Sequence, residues 1–237
     1  MTLRALPIAI LLLMAVVAGC QQTKVGTQDV VSNIPWPDHE ETHYILQKRD
    51  GTEVGRGSLM IERDGPNYKL STNFEGTKAS GTDNTTLLAE GTTLKPLSMT
   101  RVIQNKDQES RVEALYENGA VGITASNKGK GRKNAFSVPE HSYDKEESLF
   151  LWRTIPFSAG YIASYTSVVT NEGKKGTATV SVSGQETVDV PAGHFDAWLV
   201  VIRSSNLRQL AWYAVQPPHY LIRYDNGDLV FLLEKLP

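Results

Sequence analysis

The sequence predicts a mainly β protein, a single antiparallel β-barrel or strongly curved half-barrel with one short helix. Three observations predict it. Asp50-Gly51, Asp64-Gly65, Asn118-Gly119 and Asn226-Gly227 each separate two β-rich runs, and such dipeptides supply the positive φ that tight hairpin turns need. Residues 177–190 alternate strictly: Ala178, Val180, Val182, Gly184, Val188 and Val190 share one parity with Glu186, and the other parity is polar. That is a half-buried strand, with Gly184 the expected place for a bulge. Only Tyr143–Phe157 reads as helical, and one helix among many hairpins suggests a plug or cap rather than a βαβ protein.

Taken in order, residues 1–20 form a targeting segment. Arg4 precedes an apolar run from Ala5 to Val17, shorter than the roughly 20 residues that span a bilayer core but of signal-peptide length. Residues 21–38 show neither helical nor strand periodicity and place Pro35 and Pro37 around Trp36, the composition of a tether that ends in a stiff extended turn. Strands are expected near 42–49, 53–63, 67–75, 80–89, 97–105, 109–117, 120–126, 133–138, 160–170, 176–190, 196–204, 208–215, 219–225 and 228–235. Ala197–Ile202 is apolar on both parities, so part of the sheet should be covered on both faces. The helix should open at Asp144 or Ser142, carry Glu146 and Glu147 in its first turn, and stop before Pro156. The predicted organisation is therefore 1–19 signal peptide, 20–38 flexible tether beginning at Cys20, and 39–237 one barrel-like domain.

Composition narrows the function. The 237 residues carry 24 basic and 26 acidic side chains, a net charge of −2. That balance argues against a nucleic-acid partner and against a disordered acidic tail. A single Cys excludes a disulfide framework and a Cys-rich zinc site.

Val17-Ala18-Gly19-Cys20 resembles the lipobox of bacterial lipoproteins. The resemblance implies removal of residues 1–19, diacylglycerol on Cys20 and an N-acyl chain such as palmitate, anchoring the protein to a membrane of the cell envelope. Two or three chains hold stably where one holds marginally. Gln21 rather than Asp follows the Cys, which by the same resemblance sends the lipoprotein to the outer membrane, facing the periplasm, in a two-membrane cell. In a single-membrane cell it implies the outer face of the cell membrane.

A second resemblance covers the C-terminal half. It is carried by Tyr143-Asp144, Leu149–Arg153, Pro156-Phe157, Gly160, the run Gly184-x-Glu186-x-Val188-x-Val190-Pro-Ala-Gly193-x-Phe195-x-Ala197, Trp212-Tyr213-Ala214 and a closing hairpin. This resembles the bacterial domain-of-unknown-function family 3108, envelope proteins expected to form curved antiparallel barrels. The family brings no catalytic residues. Its architecture is similar to lipoprotein-carrier half-barrels, which hold acyl chains in a hollow closed by a helix, a likeness of shape.

Other motifs are weighed individually. His39-Glu40-Glu41-Thr42-His43 fits His-Glu-x-x-His, but zinc chemistry needs both His on one helical face. Here prolines precede it and β-rich Tyr44-Ile45-Leu46 follows, so the two His should lie about 13 Å apart along a strand, and no metal or cofactor is expected. Lys128-Gly-Lys-Gly-Arg-Lys133 lacks phosphate-loop spacing and reads as a solvated hairpin tip. No Gly-x-Ser-x-Gly elbow occurs, and His141, His194 and His219 lie far apart.

Glu186, on an apolar parity, is expected to pair with Arg153 or Arg203 or to be turned outward by a bulge at Gly184. A ligand-facing acid is the other reading. Trp152, Phe157, Tyr161, Tyr165, Trp198 and Trp212 read first as core and second, with Glu186, as a ligand wall. The function expected is a non-enzymatic, membrane-anchored binding protein for a hydrophobic or lipid-like small molecule. A solid-core scaffold of the envelope is the alternative, and a hydrolase or metal enzyme using His39 and His43 is less favoured.

Overall fold

In the computed structural model, which describes residues 26–77, 81–106, 108–205 and 207–237, the hairpin signals have built one sheet. Its strands are β1 His39–Lys48, β2 Glu53–Asp64, β3 Asn67–Gly76, β4 Thr82–Glu90, β5 Pro96–Asn105, β6 Gln108–Glu117, β7 Ala120–Asn127 and β8 Lys130–Ser137, followed by the short β9 Ser142–Asp144. After the helical insert come β10 Ile162–Val169, β11 Lys174–Val190, β12 Gly193–Ser204, β13 Leu207–Ala214, β14 Leu221–Asp225 and β15 Leu229–Lys235. The order across the 15-stranded sheet is 8-7-6-5-4-3-2-1-15-14-13-12-11-10-9. Neighbours are antiparallel except β9 on β10. At the β6–β7 turn Asn118 and Gly119 both take positive φ, 52° and 70°, the conformation for which Asn-Gly is selected.

The ladder does not close. β8 and β9 are its two edges, and side chains seal the seam where β8 faces the β10–β11 turn. Asn134 Nδ2 donates to Gly173 O (3.0 Å), Lys175 Nζ to Ser137 O (2.5 Å), and Arg132 to Asn171 O.

The insert fills the concave side. It consists of a 3-10 turn over Lys145–Glu147, α1 Ser148–Leu151, and a second 3-10 turn over Trp152–Thr154. Asp144 opens it as predicted: its carboxylate accepts from Glu146 N (2.9 Å) while Glu147 Oε1 accepts from Asp144 N (2.7 Å), a reciprocal capping box. Phe150, Leu151 and Trp152 join Tyr165, Tyr213 and Tyr224 in a single core.

The described part of the expected tether is not free. Thr27 bridges Ser164, Ser32 N donates to Thr154 O (2.9 Å), and Val30 and Trp36 are buried. Their apolar side chains dock on the insert end of the barrel, so residues upstream of His39 are already part of the packed chain. Cys20 and the signal segment lie outside the described residues.

Gly184 forms the expected bulge. The β11–β12 register shifts between Val182 and Gly184, with φ of +156° at Gly184. The extra residue inverts the facing of the strand beyond it. Ala178, Val180 and Val182 face inward, whereas Glu186 is exposed on the outer face opposite Ala197.

Candidate functional site

Polar bonds aimed at the insert decide where space is left under it. Tyr116 OH on β6 donates to Asp144 Oδ2 (2.6 Å). Arg101 on β5 donates to both oxygens of Asp83 (2.8 and 2.6 Å) and to Glu146 (2.9 Å). Tyr213 OH donates to Leu149 O (2.8 Å), and Trp152 Nε1 donates to Tyr165 OH (2.9 Å).

At the insert's far end Arg153 forms a buried pair with Glu40. Nη1 and Nη2 reach its two oxygens (2.5 and 2.8 Å), and Nε donates to Pro218 O (2.6 Å). The guanidinium also lies over Trp36 and Tyr220, 5.5 and 5.1 Å from the ring centres.

Burial pushes the Asp144 carboxyl up to about 7, and burial likewise holds Glu147 well above the usual carboxylate range. Arg101 is held more firmly protonated by its bond to Asp83.

Next to the insert lies a hollow of about 320 Å³. Its floor is Trp152, Tyr165, Ala178 and Ile202, and hydroxyls of Ser148, Ser167, Thr177 and Ser204 interrupt the apolar wall. Lys145, Lys174, Lys175 and Glu172 stand at its rim. A smaller space of about 130 Å³ extends along the other side of Trp152, against Phe74, Leu149, Tyr224 and Phe231. Both spaces touch Lys145, Ser148, Trp152 and Gln209, so they are two lobes flanking one tryptophan.

The sequence-predicted residues separate into distinct places. Trp152 and Tyr165 line the hollow. Phe157 and Trp198 stack at the opposite mouth, 6.4 Å apart and 18° from parallel, beside His219 in a second cavity of about 400 Å³. Tyr161 is half-buried at the edge of the core.

Glu186 accepts from Trp212 Nε1 (2.5 Å) on the outer face, with Arg223 over the indole at 4.9 Å. Of the two expectations for Glu186 the bulge at Gly184 is the one found: it turns the carboxylate outward onto Trp212, and no bond to Arg153 or Arg203 forms, Arg153 being committed to Glu40. Trp212 and Glu186 therefore do not line the hollow.

The His-Glu-x-x-His segment lies in β1. Glu40 points into the core and is buried, while His39 and His43 occupy the other parity, so the helical arrangement that zinc chemistry requires is not formed. His141 faces Asp29 (3.2 Å), His194 faces Asp189, and His219 Nδ1 meets Ala214 O (2.8 Å), three separate settings. Lys128–Lys133 is an exposed hairpin tip whose Arg132 serves the seam.

Sequence reasoning missed Lys145, Ser167, Lys174 and Gln209. The β11 parity would have placed Lys174 with Ala178, and pairing of Tyr165 with Ala178 carries Ser167 to the same face.

The fold is thus an open, barrel-like antiparallel sheet with a helical insert in its hollow. The chain belongs to the family DUF3108, described as a protein of unknown function, which matches residues 41–233. A comparison with curated proteins found no match. Among solved structures, a beta-barrel-like protein of domain of unknown function DUF1849 from Brucella abortus is similar, with TM-score 0.56 and 14% identity. The similarity covers 86% of this chain and 98% of that one and is a likeness of fold alone. Weaker similarity is found to a candidate exported protein with YmcC-like fold from Bacteroides fragilis (TM-score 0.37, 11% identity, 87% of this chain and 99% of that one). A candidate lipoprotein from Parabacteroides distasonis gives TM-score 0.34 and 11% identity over 89% of this chain and all of that one (100%).

Proposed function

We propose that this protein is a lipid-anchored binding protein of the bacterial envelope that holds a small apolar or amphipathic molecule beside the insert and catalyses no reaction. The observation that carries the reading is the two-lobed hollow flanking Trp152. Its larger lobe falls within the size range of small-molecule sites, roughly 300–1,000 Å³. Trp152, Tyr165, Val169, Ala178, Ile202 and Leu207 supply its apolar surface, and the hydroxyls among them give orientation. The lipobox-like Val17–Cys20 supports the anchor and the envelope location.

A chain beginning at Gln21 retains every described element and suits a binding assay. Titration with a dansyl-labelled fatty acid should give saturable fluorescence enhancement at micromolar protein. Trp152→Phe, which keeps a ring but loses the indole and its bond to Tyr165, should shift the midpoint or the emission maximum, while Leu115→Ser on the exposed face should not. Absence of saturable binding would transfer the assignment to a solid-core scaffold. For the anchor, metabolic labelling with a palmitate analogue should mark the wild-type chain and fail with Cys20→Ser. Retained labelling in that variant would remove the lipobox reading.

A further inference from the structure

The rim of the hollow is chemically unlike its floor, and the difference specifies one end of the ligand. Three lysines and one glutamate line the opening: Lys145 on the insert, Lys174 and Lys175 at the start of β11, and Glu172 in the turn before it. They are not equivalent. Lys175 is spent on the seam, donating to Ser137 O (2.5 Å) with its ammonium 5.9 Å from the Phe136 ring centre. Lys174 is paired with Glu172 and remains largely exposed. Lys145 forms no ion pair among the described residues, and its field at Glu172 adds to that of Lys174.

Two ammonium groups thus share one carboxylate at the mouth, leaving a net positive edge beside the hydroxyls of Ser167 and Ser204. The apolar surface beside Trp152 comes from Tyr165, Ala178 and Ile202 in the larger lobe and from Phe74, Leu149, Tyr224 and Phe231 in the smaller. An alkyl chain inserted along Trp152 would leave its polar end among Lys145, Lys174 and these hydroxyls.

We propose that the hollow selects amphiphiles with an anionic headgroup, carboxylate or phosphate, held by Lys145 and Lys174 while the chain runs along Trp152. The proposal rests on the binding reading above and adds the headgroup to it. Charge-assisted hydrogen bonds are worth more than neutral ones, by a margin that corresponds to about tenfold in affinity.

Competition against the dansyl-labelled fatty acid separates the possibilities. Decanoate and decyl phosphate should each displace the probe about tenfold more effectively than decanol. That preference should shrink to about twofold in Lys145→Gln/Lys174→Gln. Lys128→Gln/Lys130→Gln, at the exposed hairpin tip, should leave it unchanged. Equal displacement by decanoate and decanol overturns the headgroup assignment and leaves the hollow as a neutral apolar site. Displacement by inorganic phosphate alone, as effective as by decyl phosphate, also overturns it, because the site would then read an anion without a chain. No probe binding at all removes the hollow as a ligand site and the headgroup with it.

Discussion

Replacing Glu40 by Ala is expected to destabilise the fold by about 3–5 kcal/mol, a large share of the total stability of a domain. The pair it belongs to is sealed from water: the side chains of Arg153 and Glu40 are only 6% and 2% exposed. Truncating Glu40 leaves the guanidinium buried with Pro218 O and two aromatic faces but no countercharge. The cost is the desolvation of an unpaired cation rather than the worth of the pair. It follows that Glu40→Leu combined with Arg153→Met should lose much less than the sum of the single variants. Urea unfolding midpoints check both statements. Additive losses in the double variant would show that the two side chains act independently.

Asp144→Asn is expected to remove much of the pH dependence of stability between about pH 4 and pH 7. In the unfolded chain the carboxyl titrates near its ordinary value of 3.8, and in the fold burial raises it to about 7. Across that interval the unfolded chain releases a proton that the folded chain keeps. Stability therefore falls as pH rises from about 4, and the loss from this group levels off above about 7.

A carboxyl raised from 3.8 to about 7, at ~1.4 kcal/mol for each tenfold change in proton affinity, contributes a few kcal/mol at most. Around Asp144 stand Tyr116, Glu146 and Glu147, with the positive fields of Arg101 on Asp144 and Lys95 on Glu147. Glu147, also raised by burial, acts in the same direction. Carboxylates held low by lysine bonds, Glu62 and Glu172, act in the opposite sense and only in more acidic solution. Thermal unfolding from pH 4 to 8 should slope downward for the wild type and be flatter for Asp144→Asn. An unchanged slope would mean that the carboxyl is already ionised inside the fold.

The sheet was legible in the sequence because each hairpin carries its own local signal. Asn118-Gly119 and Asp64-Gly65 announce turns regardless of what lies elsewhere, and Asp144 with Glu146 and Glu147 behind it announces the insert. β9 was not legible: it is three residues long and pairs in parallel with β10 across the insert. The partner of Arg153 was not legible either, since Glu40 lies 113 positions away and no periodicity reports a contact at that distance.

The facing of Glu186 shows how one bulge undoes a correct pattern. Parity alone sets it inside with Val182, but the bulge, which the glycine at 184 also announces, shifts each residue after it by one. For the site, the aromatics that would wall a pocket were visible as a set, but their division between hollow, opposite mouth and outer face depends on strand register. The rim lysines look like any solvated charge until β11 is paired with β10.

The strand order also assigns the cost of joining the two ends of the chain to a single pairing. From β1 to β8 each strand pairs with its sequence neighbour, and so does each from β10 to β15. Among the described residues β1 with β15, His43 opposite Lys235, is the only strand pairing that joins the two meanders. Loop-closure entropy grows with the logarithm of the span, so that ladder costs roughly 2–3 kcal/mol more to close than a hairpin. Both meanders can therefore assemble from local contacts, and the encounter of the first strand with the last carries the non-local burden of the topology.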